Sequence, residues 1–179
     1  MKRKAIFFDR DGVVNFRIVG KYIKSAEDFR FMPDFIEFFK KIKTAGYLTI
    51  LITNQQGIGK GLMTEKELET VHNFMQSKLK EFTGNNFDDI YYSSELAENN
   101  SFRRKPNPGM LLEAIEKWDI DIENSWMIGD SKSDVKAGKR AGLKTILLKP
   151  VKNGDFPEAD FLFRNLDEVY TNLFNKLLS

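Results

Sequence analysis

At 179 residues, with 41% hydrophobic and 30% charged side chains, the chain has the length and apolar content of one globular domain. Its formal net charge of +2 gives little support to non-specific nucleic-acid binding. The absence of cysteine excludes disulfides, thiolate metal sites and a cysteine nucleophile. A lone histidine, His72, largely excludes His-based metal clusters and Ser-His-Asp triads. Chemistry must then rest on Asp, Glu, Lys, Arg, Ser, Thr or Tyr.

The first element is a strand over residues 4–9. Its apolar run Ala5-Ile6-Phe7-Phe8 stops abruptly at Asp9-Arg10-Asp11-Gly12. Residues two apart in an extended chain point the same way, so Asp9 and Asp11 are expected to project together from its carboxyl end. Such a pair repels unless a cation or a shared proton compensates. Taken alone, the stretch reads equally well as a solvated surface turn.

Residues 10–32 mix glycines, charges and aromatics without a clean period, and read as a loop or small flap. A helix follows over 33–45, with Pro33 at its start, Phe35, Ile36, Phe39 and Ile42 on one face and Gly46 as its stop. Residues 47–53 form a second buried strand, and 54–61 a glycine-rich loop. Thr64 and Glu67 make a capping box for a helix over 64–82, with His72 flanking its apolar face. A strand over 88–93, a polar and basic loop over 94–106 and a helix opening at Asn107-Pro108 come next. The chain closes with a strand over 125–129, a helix over 132–141, a strand over 144–148, a sixth strand at 161–163 and a helix over 166–178. Alternating strands and helices predict an α/β fold, a central parallel sheet with helices on both faces. No apolar segment approaches membrane-spanning length, and the apolar run after the basic residues 1–4 is too short for a signal peptide. A cytoplasmic location is expected.

Ligands of such sheets sit at the carboxyl ends of the strands. Those ends carry Asp9 and Asp11, then Thr53 and Asn54, then Arg103-Arg104-Lys105, then Asp130 with Asp134 one turn on. A carboxylate such as Asp9 can attack phosphorus, and Asp11 can give a proton to the leaving oxygen and then activate water. Asp9 and Asp130 are hard oxygen ligands suited to Mg2+. Lys105, Thr53 and the Asn54 backbone N–H can neutralise or bind phosphoryl oxygens. Each feature has a plainer reading: Thr53 and Asn54 as a turn cap, residues 103–105 as a solvated basic run, Asp134 as an acid serving a helix N-terminus.

The four motifs together resemble the haloacid dehalogenase (HAD) superfamily over most of the chain. The resemblance implies a Rossmann-like phosphatase fold with Asp9 as nucleophile, Asp11 as acid/base, and Mg2+ held by Asp9, the Asp11 backbone carbonyl and Asp130. Asp-Arg-Asp-Gly-x-x-Asn (9–15), Thr-Asn-Gln-x-Gly-Ile (53–58) and Arg-Lys-Pro-x-Pro-Gly-Met (104–110) are similar to one branch. That branch holds heptose bisphosphate phosphatases and the histidinol-phosphatase domain. It implies substrate contacts from Arg104, Ser131 and the flap residue Tyr22, with Arg10, Asn54, Gln55 and Gln56 also facing substrate. Members typically carry a Cys/His zinc loop before Arg-Lys-Pro. Residues 93–103 here have neither residue type, so no zinc is expected and the loop must be held by other contacts or be mobile.

The expectation is a single domain without a separate cap, flap 10–32 and loop 93–104 screening the site, acting as a monomer on a small-molecule phosphate ester. Neither a membrane nor nucleic acid is expected as partner. Heptose bisphosphate leads as substrate. The rivals are histidinol phosphate, a polynucleotide 3′-phosphate, and a non-catalytic phosphosugar-binding protein.

Overall fold

A computed structural model describes residues 2–149 and 158–175. Its centre is a six-stranded sheet with the order β3-β2-β1-β4-β5-β6, every neighbouring pair parallel. The strands are β1 (Ala5–Phe8), β2 (Leu48–Asn54), β3 (Asp89–Ser93), β4 (Trp126–Gly129), β5 (Lys144–Leu148) and β6 (Phe161–Phe163). The helices are α1 (Phe35–Thr44), α2 (Gln56–Gly59), α3 (Glu65–Thr83), α4 (Gly109–Trp118), α5 (Lys132–Arg140) and α6 (Leu166–Val169).

The period of two in β1 divides the core between the faces of the sheet. Ile6 and Phe8 join a cluster with α1, α3 and α6, while Ala5 and Phe7 join one with α4 and α5. Much of the phenylalanine goes into the first cluster. Phe8 meets Phe35, Phe38 and Phe87 edge-on at 5.7, 6.1 and 5.9 Å between ring centroids. Each such pair adds roughly 0.5–1.5 kcal/mol beyond its buried area.

Helix ends follow local chemistry. Thr64 Oγ1 accepts from the Glu67 N–H at 3.1 Å and the Glu67 carboxylate accepts from the Thr64 N–H at 2.7 Å, so the predicted capping box is formed. Pro33 and Asp34 lie in a turn ahead of α1 rather than inside it, and Asp34 instead accepts the Leu166 N–H at 2.6 Å. Two short elements lie in stretches that the sequence reads as loop: α2, and a 3-10 turn at Ala97–Asn99. Neither is long enough to show a helical period. The predicted closing helix is α6 continued by a π turn, Tyr170–Phe174; its last residues, 176–178, lie outside the described residues.

Residues 10–32 form a flap sewn to the domain at its base. Phe16 N–H donates to Arg30 C=O at 3.0 Å and Met32 N–H to Val14 C=O at 2.9 Å. Val13, Val14, Ile23 and Phe29 are buried beneath it. Among the described residues no element forms a separate cap, and no helix is long and apolar enough to cross a membrane. From β1 the chain steps outward to β3, then returns to β4 and steps the other way to β6. The crevice at this reversal, between the carboxyl ends of β1 and β4, is where such folds bind ligands.

Candidate active site

Asp9 leaves β1 with its N–H still donating to Ile128 C=O at 2.9 Å, so the ladder to β4 fixes its backbone. Lys105 Nζ, brought by the loop before α4, donates to Asp9 Oδ1 at 2.8 Å and to Ile52 C=O at 2.8 Å. It also lies 2.6 Å from Asp134 Oδ1, an ion pair outside hydrogen-bond alignment. All three side chains are buried. Removing charges from water is tolerated only with this degree of pairing. Burial alone would lower the Lys105 pKa; Asp134 and Asp9 outweigh it and hold the ammonium firmly charged. Burial, then Asp134, lift Asp9 to about 7 against the pull of Lys105.

Neighbouring residues hold these groups in place. The Asn54 side chain clamps the Lys105 backbone at both ends, Nδ2 donating to its C=O at 2.9 Å and Oδ1 accepting its N–H at 3.1 Å. Asp134 Oδ2 accepts the Ser131 N–H at 3.0 Å and hydroxyl at 2.5 Å. Asp134 thus serves the start of α5 and the Lys105 ammonium together, and the sequence alternatives for it are one arrangement. Gly129 is required under it, because a Cβ there would lie 2.1 Å from Asp134 Cβ.

Asp11 has separate partners. Its carboxylate accepts from Arg10 Nη2 at 3.1 and 3.0 Å, Asn15 Nδ2 at 2.9 Å and Gln55 Nε2 at 3.1 Å. Burial would raise its pKa, but Arg10, Asn15 and Gln55 prevail and hold it below the ordinary carboxylate range. Asp9 and Asp11 line one cavity, as their spacing leads one to expect, although the strand ends at Phe8 and the chain turns at Arg10, so that each carboxylate has its own set of partners. The tight carboxylate group is Asp9, Asp130 and Asp134, whose oxygens lie within 4.8 Å of one another.

That group fits a hard divalent cation. Asp134 is occupied by Lys105 and Ser131, which leaves Asp9 and Asp130 as the carboxylates that could hold an ion. Burial raises Asp130 to about 6, in spite of a nearby arginine. That arginine is Arg17 of the flap, whose Nη2 donates to both Asp130 Oδ1 and the Asp11 backbone C=O at 3.0 Å. A cation therefore already bridges two of the three groups assigned to the metal by resemblance.

A cavity of about 370 Å³ opens above, with Arg17, Lys21, Tyr22, Gln56, Arg104 and Ser131 on its walls. Tyr22 lies against Gly57, where any Cβ would be 2.8 Å from its ring. Arg104 sits on the rim, donating to Glu95 C=O at 3.0 Å and Gln56 Oε1 at 3.4 Å, whereas Arg103 turns outward to Glu113 at 2.8 Å. Three residues expected to face substrate or phosphoryl group, Arg10, Asn54 and Gln55, do line this cavity, and their side chains also hold other parts of the site. Arg10 is 1% exposed and holds Asp11. Gln55 is buried, bridging Asp11 to the buried Thr53 hydroxyl at 2.9 Å. The Asn54 amide is consumed by Lys105. Short polar side chains beside a buried carboxylate are drawn inward to satisfy it. Arg17 lies in an aperiodic stretch that carries no signal for it. Asn15 falls inside a motif that assigns it no task, and His72, on the flank of a helix by its spacing, is buried against Arg10.

The loop over 93–103 is held by hydrogen bonds. Asn107 Nδ2 reaches Ser101 C=O at 3.0 Å and the Asn100 C=O at 3.3 Å, Asn99 Nδ2 reaches Glu95 at 2.8 Å, and Gly109 N–H donates to Phe102 C=O at 2.9 Å.

A family model described as HAD-hydrolase-like matches residues 102–173. The chain is 39% identical to D-glycero-beta-D-manno-heptose-1,7-bisphosphate 7-phosphatase of Helicobacter pylori (strain J99), covering 93% of this chain and 94% of the relative. It is 39% identical to D-glycero-alpha-D-manno-heptose-1,7-bisphosphate 7-phosphatase of Campylobacter jejuni, covering 94% and 95%. The crystal structure of a D,D-heptose 1,7-bisphosphate phosphatase from B. bronchiseptica, complexed with magnesium and phosphate, superposes with a TM-score of 0.87 at 27% identity. That match covers 97% of this chain and 99% of the other.

Proposed function

Because this chain belongs to the D-glycero-D-manno-heptose-1,7-bisphosphate 7-phosphatase family of HAD-like hydrolases, we propose that it hydrolyses the 7-phosphate of that sugar bisphosphate through an aspartyl-phosphate on Asp9. The observation that carries the chemistry is the ammonium of Lys105 fixed between Asp9 and Asp134, with Asp130 within ligand distance.

Lys105 holds Oδ1 of Asp9, so the other carboxylate oxygen is the one directed at phosphorus. As that oxygen bonds to phosphorus, the ester bond to the sugar oxygen breaks, and Asp11 delivers a proton to the departing oxygen. Asp11 is ionised at rest; the arriving phosphate dianion is a like charge that raises its pKa, so that it takes up from solvent the proton it then delivers. Asp11 then takes a proton from the water that attacks the aspartyl-phosphate, releasing phosphate and restoring Asp9. Lys105 remains beside the developing charge without reorganising. Asp9, the Asp11 carbonyl and Asp130 are suited to hold Mg2+, which neutralises phosphoryl oxygens when bound. Arg104, Lys21 and Tyr22 at the rim are proposed to bind the rest of the sugar phosphate. A cysteine-free chain suits a reducing cytoplasm, which the proposal takes as the setting, with a monomer as the working unit.

The test is a side-by-side assay of both anomers of heptose 1,7-bisphosphate, histidinol phosphate and a 3′-phosphorylated oligonucleotide. The heptose bisphosphate is expected to have the highest kcat/KM. A higher value for either of the others refutes the substrate assignment.

A further inference from the structure

Behind Asp11 runs a line of buried contacts that the reaction above leaves without a role. Arg10 is among the largest fully buried side chains of the protein. A guanidinium has five N–H donors and no acceptor, so a buried one needs acceptors on more than one side. Its Nε and Nη2 face Asp11, at 3.3 Å and at 3.1 and 3.0 Å. Its Nη1 faces His72 Nε2 at 3.3 Å. Only a neutral imidazole with its proton on Nδ1 presents a lone pair there. Burial first, then the Arg10 charge, bring the His72 pKa down to about 3, which keeps the ring neutral.

His72 is well supported. It stands on α3, the 19-residue helix closed by the Thr64–Glu67 box, with Leu68, Val71, Met75 and Leu79 buried around it. Its ring meets Tyr92 of β3 edge-on at 6.4 Å. The contacts therefore lead from a rigid helix through Arg10 to the carboxylate that must reach the leaving oxygen.

We propose that His72 is a positioning residue for phosphoryl transfer: its Nε2 fixes the Arg10 guanidinium, and through it the Asp11 carboxyl. The inference rests on Asp11 being the acid/base group. Without the imidazole, Nη1 is left buried and unpartnered, and the guanidinium turns to find another acceptor. Asp11, held on its other edge, turns with it. Misplacement by about 1 Å is enough to cost on the order of a hundredfold in rate.

The experiment compares kcat/KM on two substrates, since that parameter covers ester cleavage. Heptose bisphosphate releases an alkoxide that needs a proton, whereas p-nitrophenyl phosphate releases a phenolate that does not. His72→Leu is expected to lower kcat/KM for the sugar phosphate by roughly ten- to a hundredfold, through kcat rather than KM, and for p-nitrophenyl phosphate by less than about twofold. His72→Gln, whose amide oxygen reaches the Nε2 position, should restore most of the sugar-phosphate rate; the shorter His72→Asn should not. The Gln and Asn pair gives the answer if the Leu variant fails to fold. Equal losses on both substrates, or Gln no better than Asn, overturn the inference. Asp11→Asn is run in parallel. If it shows the leaving-group-selective loss and His72→Leu does not, only the role of His72 falls. If Asp11→Asn leaves sugar-phosphate hydrolysis intact, the acid/base reading falls and this inference with it.

Discussion

The Arg17 guanidinium occupies the position between Asp130 Oδ1 and the Asp11 carbonyl, 3.0 Å from each. Its side chain is 54% exposed, so the pairing is a weak one, worth about 0–1 kcal/mol. A divalent ion with carboxylate ligands has to displace it. Arg17→Ala should therefore bind Mg2+ more tightly, by up to about fivefold. Calorimetric titration of the metal-free protein checks this. An unchanged or weaker affinity would mean that the arginine and the ion do not compete.

Asp9→Asn should reduce turnover by at least about a thousandfold with the fold intact. It should also change how stability depends on pH. The Asp9 pKa is raised by burial to about 7 in the folded protein, from 3.8 in the unfolded chain. The folded state then holds the extra proton between these values, so this group favours folding below about pH 4 and that support is lost as pH rises through about 7. Asparagine carries no such titration. In metal-free buffer the Tm of Asp9→Asn relative to the parent should climb from pH 5 to pH 8. Saturating Mg2+ should offset the parent's loss at pH 8. A Tm difference that stays flat with pH would contradict the assignment.

Activity should vanish on removal of Mg2+ and return on its addition, yet survive chelators selective for zinc. The loop over 93–103 contains neither cysteine nor histidine and is closed by Asn107 and Asn99 amides. Elemental analysis of the purified protein is the direct check, and zinc at one per chain would refute the prediction.

The strands and long helices were legible because burial imposes a period. β1 and β2 are unbroken apolar runs, and α3 carries its cap in plain view as Thr64 and Glu67. Asp9, Lys105 and Asp130 were legible because strand ends in a parallel sheet converge on one crevice. The supporting contacts were not. Nothing in a linear pattern tells whether Arg10, Gln55 and Asn54 point out to a ligand or inward to a buried carboxylate and backbone. That choice depends on partners distant in the chain, His72 for Arg10, Asp11 for Gln55 and Lys105 for Asn54. Arg17 was hidden for a different reason: a flap without a period gives no means of placing a side chain near a site formed by β1 and β4.

Gly12 links the first of these strand ends to the last. Its φ is +100°, and a Cβ there would lie 2.1 Å from Asp130 Oδ2. Alanine meets two penalties, a backbone conformation that costs an L-residue about 1–3 kcal/mol and a collision that pushes the Asp130 carboxylate away. Val13 and Val14 beyond it are buried in the core, so the turn cannot shift freely to relieve the contact. Gly12→Ala should remain folded with a lowered Tm and bind Mg2+ at least about tenfold more weakly. Because the three atoms nearest the new methyl all belong to Asp130, added Mg2+ should recover part of the activity. Titrating kcat against Mg2+ concentration separates the two effects: a shifted midpoint with a retained plateau supports displacement of Asp130. A plateau that stays near zero at saturating metal would place the damage in the Asp9–Lys105 pair instead.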